Sequence, residues 1–317
     1  MMMDRNTTIT AIPARRLDRQ IPWAKLGTLD VPPQTAAEAM SLAGLDYTVS
    51  KVQAGWTRDG QVWSKAGKRV AIVRDDTNEF FEFVSPQYEV FQYTEAFDFM
   101  DAISPKFVAA GGLKSGRQAF LVVEPEQGEL TVGGDDKHRS YAVLRTSHDR
   151  SRAIEVSLVM IRYRCTNQLT ISALGRGENL RQHWSVPHLH NSRDKLLQAQ
   201  QIMVQLDQYT SQFQRLAERL MRSRPEEKTA REILAKHVAR RAKGQEEVLD
   251  TILYSWHEDT ERVGFNDTAW GLVQSVSEWF DWGRPQGTPE SRFLGALQGV
   301  THTTIDKVTH DLLALAA

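Results

Sequence analysis

A chain of 317 residues, 41% hydrophobic and 25% charged, holds enough apolar material for a full core and has the length of about two domains. No window approaches the roughly 18 uninterrupted apolar residues of a membrane span, and the stretch from Met1 to Gln20 lacks the apolar run of a signal peptide. The expectation is therefore a cytoplasmic protein with no membrane partner. The single cysteine, Cys165, excludes an internal disulfide and offers a metal only one thiolate, while the net charge of -1 excludes a uniformly basic nucleic-acid coat.

Residues 1–46 combine Pro13, Pro22, Pro32 and Pro33 with one short helical pattern from Thr35 to Ala43, and read as a flexible arm. Residues 47–190 read as a β-rich basic domain. Its first strands run Tyr47 to Gln53, Gln61 to Ser64, Arg69 to Arg74 and Phe80 to Val84, separated by turn pairs such as Asp59-Gly60. Thr94 then caps a short helix with Phe97, Met100 and Ile103 on one face, ended by Pro105. A second set of strands follows: Phe107 to Gly111, Gln118 to Glu124, Glu129 to Val132, Ser140 to Thr146 and Ala153 to Cys165. In the last of these the apolar alternation changes phase after Met160, which predicts a bulge there.

Residues 191–317 read as a helical C-terminal region. The longest helix starts at Asn191 or Ser192 and places Leu196, Ala199, Met203, Leu206, Tyr209, Phe213, Leu216 and Leu220 on one stripe. Further helices are expected over Glu226 to Arg241, Glu246 to Trp256, Thr268 to Trp282 and Pro289 to Leu315. The predicted class is α+β: an antiparallel β-meander sheet packed on a long amphipathic helix, with a helical C-terminal region.

Charge is unevenly distributed. Lys137 to Arg193 carries ten basic residues and three acidic ones, or +7, which leaves -8 for the rest of the chain. Arginines on strands can neutralise successive phosphates, and Trp56, Trp63, Phe80, Phe81, Phe83, Tyr88, Phe91 and Tyr93 offer rings on which bases stack. The candidate nucleic-acid-binding residues are Arg145, Arg150, Arg152, Arg162 and Arg164, with Lys114 and Arg117 at a hairpin tip.

Enzymatic signatures do not assemble. Ser147-His148-Asp149 has the side-chain types of a hydrolase triad, but three consecutive residues cannot form the relay, so a turn that orients a polar contact is expected. The carboxylate pairs Asp75-Asp76 and Asp135-Asp136 fall in turn-like segments. His183, His188 and His190 lack the further ligand a metal site needs, so neither a cofactor nor a metal is predicted.

Thr146-Ser147-His148-Asp149-Arg150-Ser151, with Ala153 and then Ile161-Arg162-Tyr163-Arg164-Cys165-Thr166-Asn167-Gln168-Leu169, resembles the central signature of the phage/plasmid-like protein family classed as domain of unknown function 932. Tyr88 to Tyr93 with Glu95-Ala96-Phe97-Asp98-Phe99 is similar to a flanking segment of that family, as is Asp267 to Gly271 with Asp281-Trp282. The chain departs from the pattern at Arg150, where the family favours Gly, at Tyr93, where it favours Asn, and at Gln168, where it favours Thr. The resemblance implies a mobile-element context and supplies no catalytic residue.

Together these readings predict a non-enzymatic protein that binds single-stranded DNA as an annealing or recombination mediator. It would work as a homo-oligomeric ring or filament, alongside a phage exonuclease or single-strand binding protein. The alternative is an interaction protein that inhibits or recruits a host defence or replication factor.

Overall fold

The computed structural model describes residues 23–27, 29, 32–64, 69–103, 105–126, 128–134, 136–162, 168–169, 183–186, 192–239, 244–258, 264–283 and 288–316. Its centre is the longest strand, β9 (Asp136–Ser147). The first half of β9 pairs with β8 (Glu129–Val132) and the second half with β7 (Gln118–Glu124), while β10 (Ile154–Arg162) runs antiparallel along its other side. Next to β7 lies β6 (Lys106–Leu113), and the short strands β11 (Gln168–Leu169) and β12 (His183–Val186) pair with β10, completing a seven-stranded antiparallel sheet.

Alternate residues of these strands enter two different cores. Ala142, Leu144, Leu121, Val156, Leu158 and Met160 face the helices. Val143, Phe120, Val122, Val159 and Ile161 face a smaller layer made by Trp23, Phe293 and Leu297. With both faces covered, β7 is buried at every position. This explains the misread phase in β10. Its register with β9 is unbroken from Glu155 to Arg162, so there is no bulge at Met160: apolar residues occupy both faces, and alternation carries no information there.

The main helical layer is led by α4 (Ser192–Arg222), in which Ala199, Leu206, Tyr209, Phe213, Leu216 and Leu220 of the expected stripe are buried, Leu196 and Met203 are half-buried, and Ile202, not expected in it, is buried as well. Around it pack α5 (Glu227–His237), α6 (Gln245–Glu258) and α7 (Ala269–Glu278), the last capped by Thr268, whose hydroxyl accepts from the Gly271 N–H at 3.0 Å. The helix expected over Pro289 to Leu315 is two helices, α8 (Pro289–Gln298) and α9 (Val300–Leu315). The break falls at Gly299, where an added Cβ would lie 2.8 Å from Gly295 Cα.

A smaller sheet, ordered β1 (Val49–Gln53), β4 (Val70–Arg74), β5 (Phe80–Val84), packs against the hairpin ends of the large one, and β2 (Gly55–Arg58) pairs with β3 (Gln61–Ser64). The short helix that follows is α3 (Tyr93–Ala96), continued by a 3-10 turn over Asp98–Ile103. Its cap is Gln92 rather than Thr94, because Gln92 and Glu95 form a reciprocal capping box.

Within the predicted arm, the described residues are part of the body. Trp23, Ala36, Ala39 and Met40 are fully buried, and α2 (Ala36–Leu42) is capped by Thr35, as its sequence suggests. The segment ahead of it, α1 (Ala24–Gly27), lies on β6, where the Leu29 N–H donates to the Val108 carbonyl at 3.3 Å. Gly27 permits this approach, since a Cβ there would sit 1.8 Å from the Ala110 oxygen. Of the prolines behind that reading, Pro13 and Pro22 lie outside the described residues, and Pro32 and Pro33 precede α2 without detaching it.

Candidate nucleic-acid interface

Two hairpin ends meet at one end of the large sheet. The β6–β7 turn passes through Lys114, Ser115 and Gly116 at φ of 50°, 59° and 85°. The β9–β10 turn passes through His148 to Ala153. The His148 N–H donates to the Arg117 carbonyl at 2.9 Å, and the Gln118 amide donates to Ser151 Oγ at 2.6 Å, so the turns hold each other. Ser147 Oγ accepts from the Arg152 N–H at 2.9 Å and donates to the Arg152 carbonyl at 3.0 Å. Ser147 therefore closes the loop, and the Ser-His-Asp order orients a turn as expected.

Burial works to raise the Asp149 carboxyl, but hydrogen bonds from Ser151 and Ser147 outweigh it and hold the group below its ordinary range. Arg150 adopts φ 59°, the left-handed conformation that a glycine takes freely, at a cost of roughly 1–2 kcal/mol. The departure from the family pattern at this position keeps the backbone shape, and the Arg150 Nη1 donates to the Phe83 carbonyl at 3.2 Å.

His148 sits in an aromatic stack. Its ring lies 3.8 Å from that of Tyr93 at 28° and 6.2 Å from that of Phe81 at 13°. The Tyr47 and Tyr93 hydroxyls both donate to the Gly116 carbonyl, and the Arg74 guanidinium lies 3.7 Å from the Tyr47 ring centre. Burial pushes His148 down to about 4 and Tyr47 up to about 12, and raises Tyr93 as well, so all three are neutral near pH 7. His148 Nε2 is buried and has no hydrogen-bond partner.

Beside this stack opens a cleft of about 560 Å³. One wall is the segment Gln87 to Phe91, with Tyr88 and Phe91 supplying rings. The other is the β9–β10 hairpin, with Thr146, Ser147, His148, Arg150 and Arg152. The volume is that of a small-molecule or nucleotide site, which spans roughly 300–1,000 Å³. Close by on β5, Phe80 and Phe83 form an exposed ring pair 4.8 Å apart.

The expected groove of strand arginines does not form. Arg162 pairs with His138 across the sheet and so faces the helices, fully buried, with its Nε donating to Asp136 Oδ1 at 2.5 Å and its guanidinium over the Phe265 ring. Asp136, expected in a turn, is the first residue of β9. It also accepts from His138 Nε2 at 2.9 Å and Trp270 Nε1 at 3.2 Å. Burial works to raise its carboxyl, but His138 and Arg162 prevail and hold it at about 2.

Arg145 lies on the opposite face, 1% exposed, and its Nη2 donates to Glu155 Oε2 at 3.4 Å. Two arginines on opposite faces, each under a packed layer, cannot line one groove. Arg117 donates to the Phe80 carbonyl at 3.2 Å and reaches Glu79 at 3.4 Å, tying the small sheet to the large one. Exposed at the hairpin end are Lys114 and Arg150, and Arg152 is half-buried in the cleft wall. Arg164, with Cys165, lies outside the described residues.

Of the aromatic candidates, Phe81 and Tyr93 are buried, and the side chains of Trp56 and Trp63 lie outside the described residues. Sequence reasoning did not identify Asp136, Glu155 and Gln298 as the partners of the buried arginines. Cross-strand opposition, which is set by register, is the signal that pairs Arg145 with Glu155. His183 is on β12, and His188 and His190 lie outside the described residues, among which no group of three or more histidine, cysteine or acidic side chains could hold a metal ion.

The family model described as "Domain of unknown function (DUF932)" matches residues 80–309, which takes in the lining of the cleft and most of both cores. No curated protein and no solved structure matches the chain. Among the described residues, no helix is long and apolar enough to cross a membrane.

Proposed function

The chain belongs to the family described as a domain of unknown function, DUF932, and we propose that it is a cytoplasmic accessory of a mobile element that binds single-stranded DNA at the hairpin end of the sheet. Its role there would be that of an annealing or recombination mediator. The observation that carries this reading is the cleft, which places Arg150 and Arg152 opposite the rings of Tyr88 and Phe91. Stacking on a ring contributes roughly 1–3 kcal/mol per base whatever the base. Guanidinium groups beside the rings take the flanking phosphates and leave the strand's pairing edges to a complement. Lys114, exposed on the adjoining turn, and the Phe80–Phe83 pair extend the surface along the same end.

Several copies on one strand would add these contacts by avidity. In such an assembly the neighbour would not add a strand to β6, because α1 and Leu29 already lie on that edge. The second reading, an interaction protein for a host or phage factor, draws on the exposed Phe80–Phe83 pair as an apolar contact point. Anisotropy titrations of single- and double-stranded oligonucleotides at two salt concentrations separate the two. Salt-dependent binding of the single strand, weakened in Tyr88→Ala, supports the DNA reading. No binding of either oligonucleotide turns the assignment to the interaction reading.

A further inference from the structure

Behind the cleft the hairpin buries more positive charge than it neutralises. Arg145 and Arg152 share one carboxylate: Glu155 Oε2 accepts from Arg152 Nη1 at 2.6 Å and from Arg145 Nη2 at 3.4 Å. Arg152 Nη1 also donates to Gln298 Oε1 at 2.8 Å. The remaining titratable neighbour is His183, 4.0 Å from Glu155, which burial holds below its ordinary range.

Three guanidinium nitrogens in this pair, Arg145 Nε and Nη1 and Arg152 Nε, are buried and have no hydrogen-bond partner. A buried guanidinium donor without an acceptor in the protein is costly, and this pair holds three of them beside a single carboxylate. On the other face of the sheet His138 Nδ1 is likewise buried without a partner, but there one carboxylate, Asp136, serves a single arginine and the charges balance. The excess at Arg145 and Arg152 is one unit of positive charge with donors in fork geometry, the arrangement that recognises a phosphate oxygen pair. Arg152 lines the cleft, so this charge is reached from the strand-binding surface.

We propose that Arg152, backed by Arg145, forms a phosphomonoester site at the inner end of the cleft, and that its ligand is the terminal phosphate of a DNA strand. A terminal phosphate carries close to two negative charges near neutral pH, where an internal phosphodiester carries one, and so matches the paired arginines better. When the anion engages Arg152, the Glu155 carboxylate is released to Arg145 alone, which keeps both guanidinium groups paired. The site rests on the cleft being the strand-binding surface, and strand ends are where annealing begins.

The test compares one single-stranded oligonucleotide carrying either a terminal hydroxyl or a terminal phosphate, labelled at the far end and examined with the phosphate at each terminus in turn. Inorganic phosphate and a mononucleotide serve as separate arms, read by thermal shift. Tenfold or greater preference for the phosphorylated end, lost in Arg152→Lys, supports the proposal. Equal affinity for both ends overturns it while leaving strand binding intact. Stabilisation by phosphate or mononucleotide without oligonucleotide binding, cancelled in Arg152→Lys, supports the phosphate site and sinks its assignment to strand ends together with the strand reading. No response in any arm overturns both. Should Arg152→Lys fail to fold, Glu155→Gln decides: removal of the competing carboxylate should tighten phosphorylated-end binding several-fold, and unchanged or weaker binding overturns the proposal.

Discussion

Two clusters of arginine, histidine and carboxylate sit on the same pair of strands, β9 and β10, and they differ in one respect. At the β8 end, Asp136 gathers Arg162, His138 and Trp270, and its carboxylate is fully engaged by the sheet and α7. At the hairpin end, Glu155 is divided between Arg145 and Arg152, so one carboxylate serves two guanidinium groups. One carboxylate matched to one arginine is a fastening, whereas two arginines on one carboxylate beside a cleft leave positive charge for a surface that receives something.

The sharpest way to break this comparison is at Asp136. Asp136→Ala leaves Arg162 buried without its carboxylate and should cost about 3–5 kcal/mol in urea unfolding. The paired replacement Asp136→Leu with Arg162→Met should cost much less than either single change, because no buried charge is left over. Neither is expected to alter the salt slope of DNA binding. A folded Arg162→Met protein that lost affinity would return that arginine to the binding surface.

The two clusters also separate on the pH axis. His148 titrates at about 4 in the folded protein against 6.5 unfolded. As pH falls through 6.5 the unfolded chain takes up a proton that the folded one refuses, so stability is complete above 6.5 and drains away down to about 4, by roughly 3 kcal/mol. Asp136, at about 2 against 3.8, keeps its contribution above 3.8 and loses it between there and 2. His138 and His183 are also lowered, so the His148 part is read as the difference between the native protein and His148→Gln. Parallel stability curves for the two across pH 6.5 to 4 would contradict the buried neutral imidazole.

Smaller effects sharpen the cleft assignment. Tyr88→Ala should weaken single-strand binding by about 1–3 kcal/mol with little change in melting temperature. Arg150→Gly relieves the left-handed backbone but loses the hydrogen bond to the Phe83 carbonyl, two effects of about 1 kcal/mol each that nearly cancel in stability. Binding should nevertheless fall, with a salt slope shallower by about 0.7 for the one phosphate contact removed. A melting temperature far below the native value would show that Arg150 serves chiefly to hold β5.

Much of this architecture was legible from local pattern. The stripe of α4, the Thr35 and Thr268 boundaries, and strands such as Gln118–Glu124 and Phe80–Val84 follow from periodicity and capping, which act within a few residues. The burial of Arg145 and Arg162 was not legible, since it depends on register and on which layer covers each face. Both faces of the large sheet are covered, so a charged residue between apolar ones looked solvent-facing when it was paired across the sheet. Of the site, the hairpin and its basic and aromatic residues were visible. The role of His148 in the ring stack, and the sharing of Glu155, arise from contacts between segments far apart in the chain.

The most direct measurement is photo-crosslinking of the native protein to a single-stranded oligonucleotide carrying 5-iododeoxyuridine, followed by peptide mapping. Adducts on Tyr88 or Phe91, suppressed by unlabelled single strand and absent in Tyr88→Ala with Phe91→Ala, are expected for a strand seated in the cleft. Adducts confined to α9 or to the β2–β3 hairpin, in a sample that binds the strand, would show that the hairpin end of the sheet is not where the DNA lies.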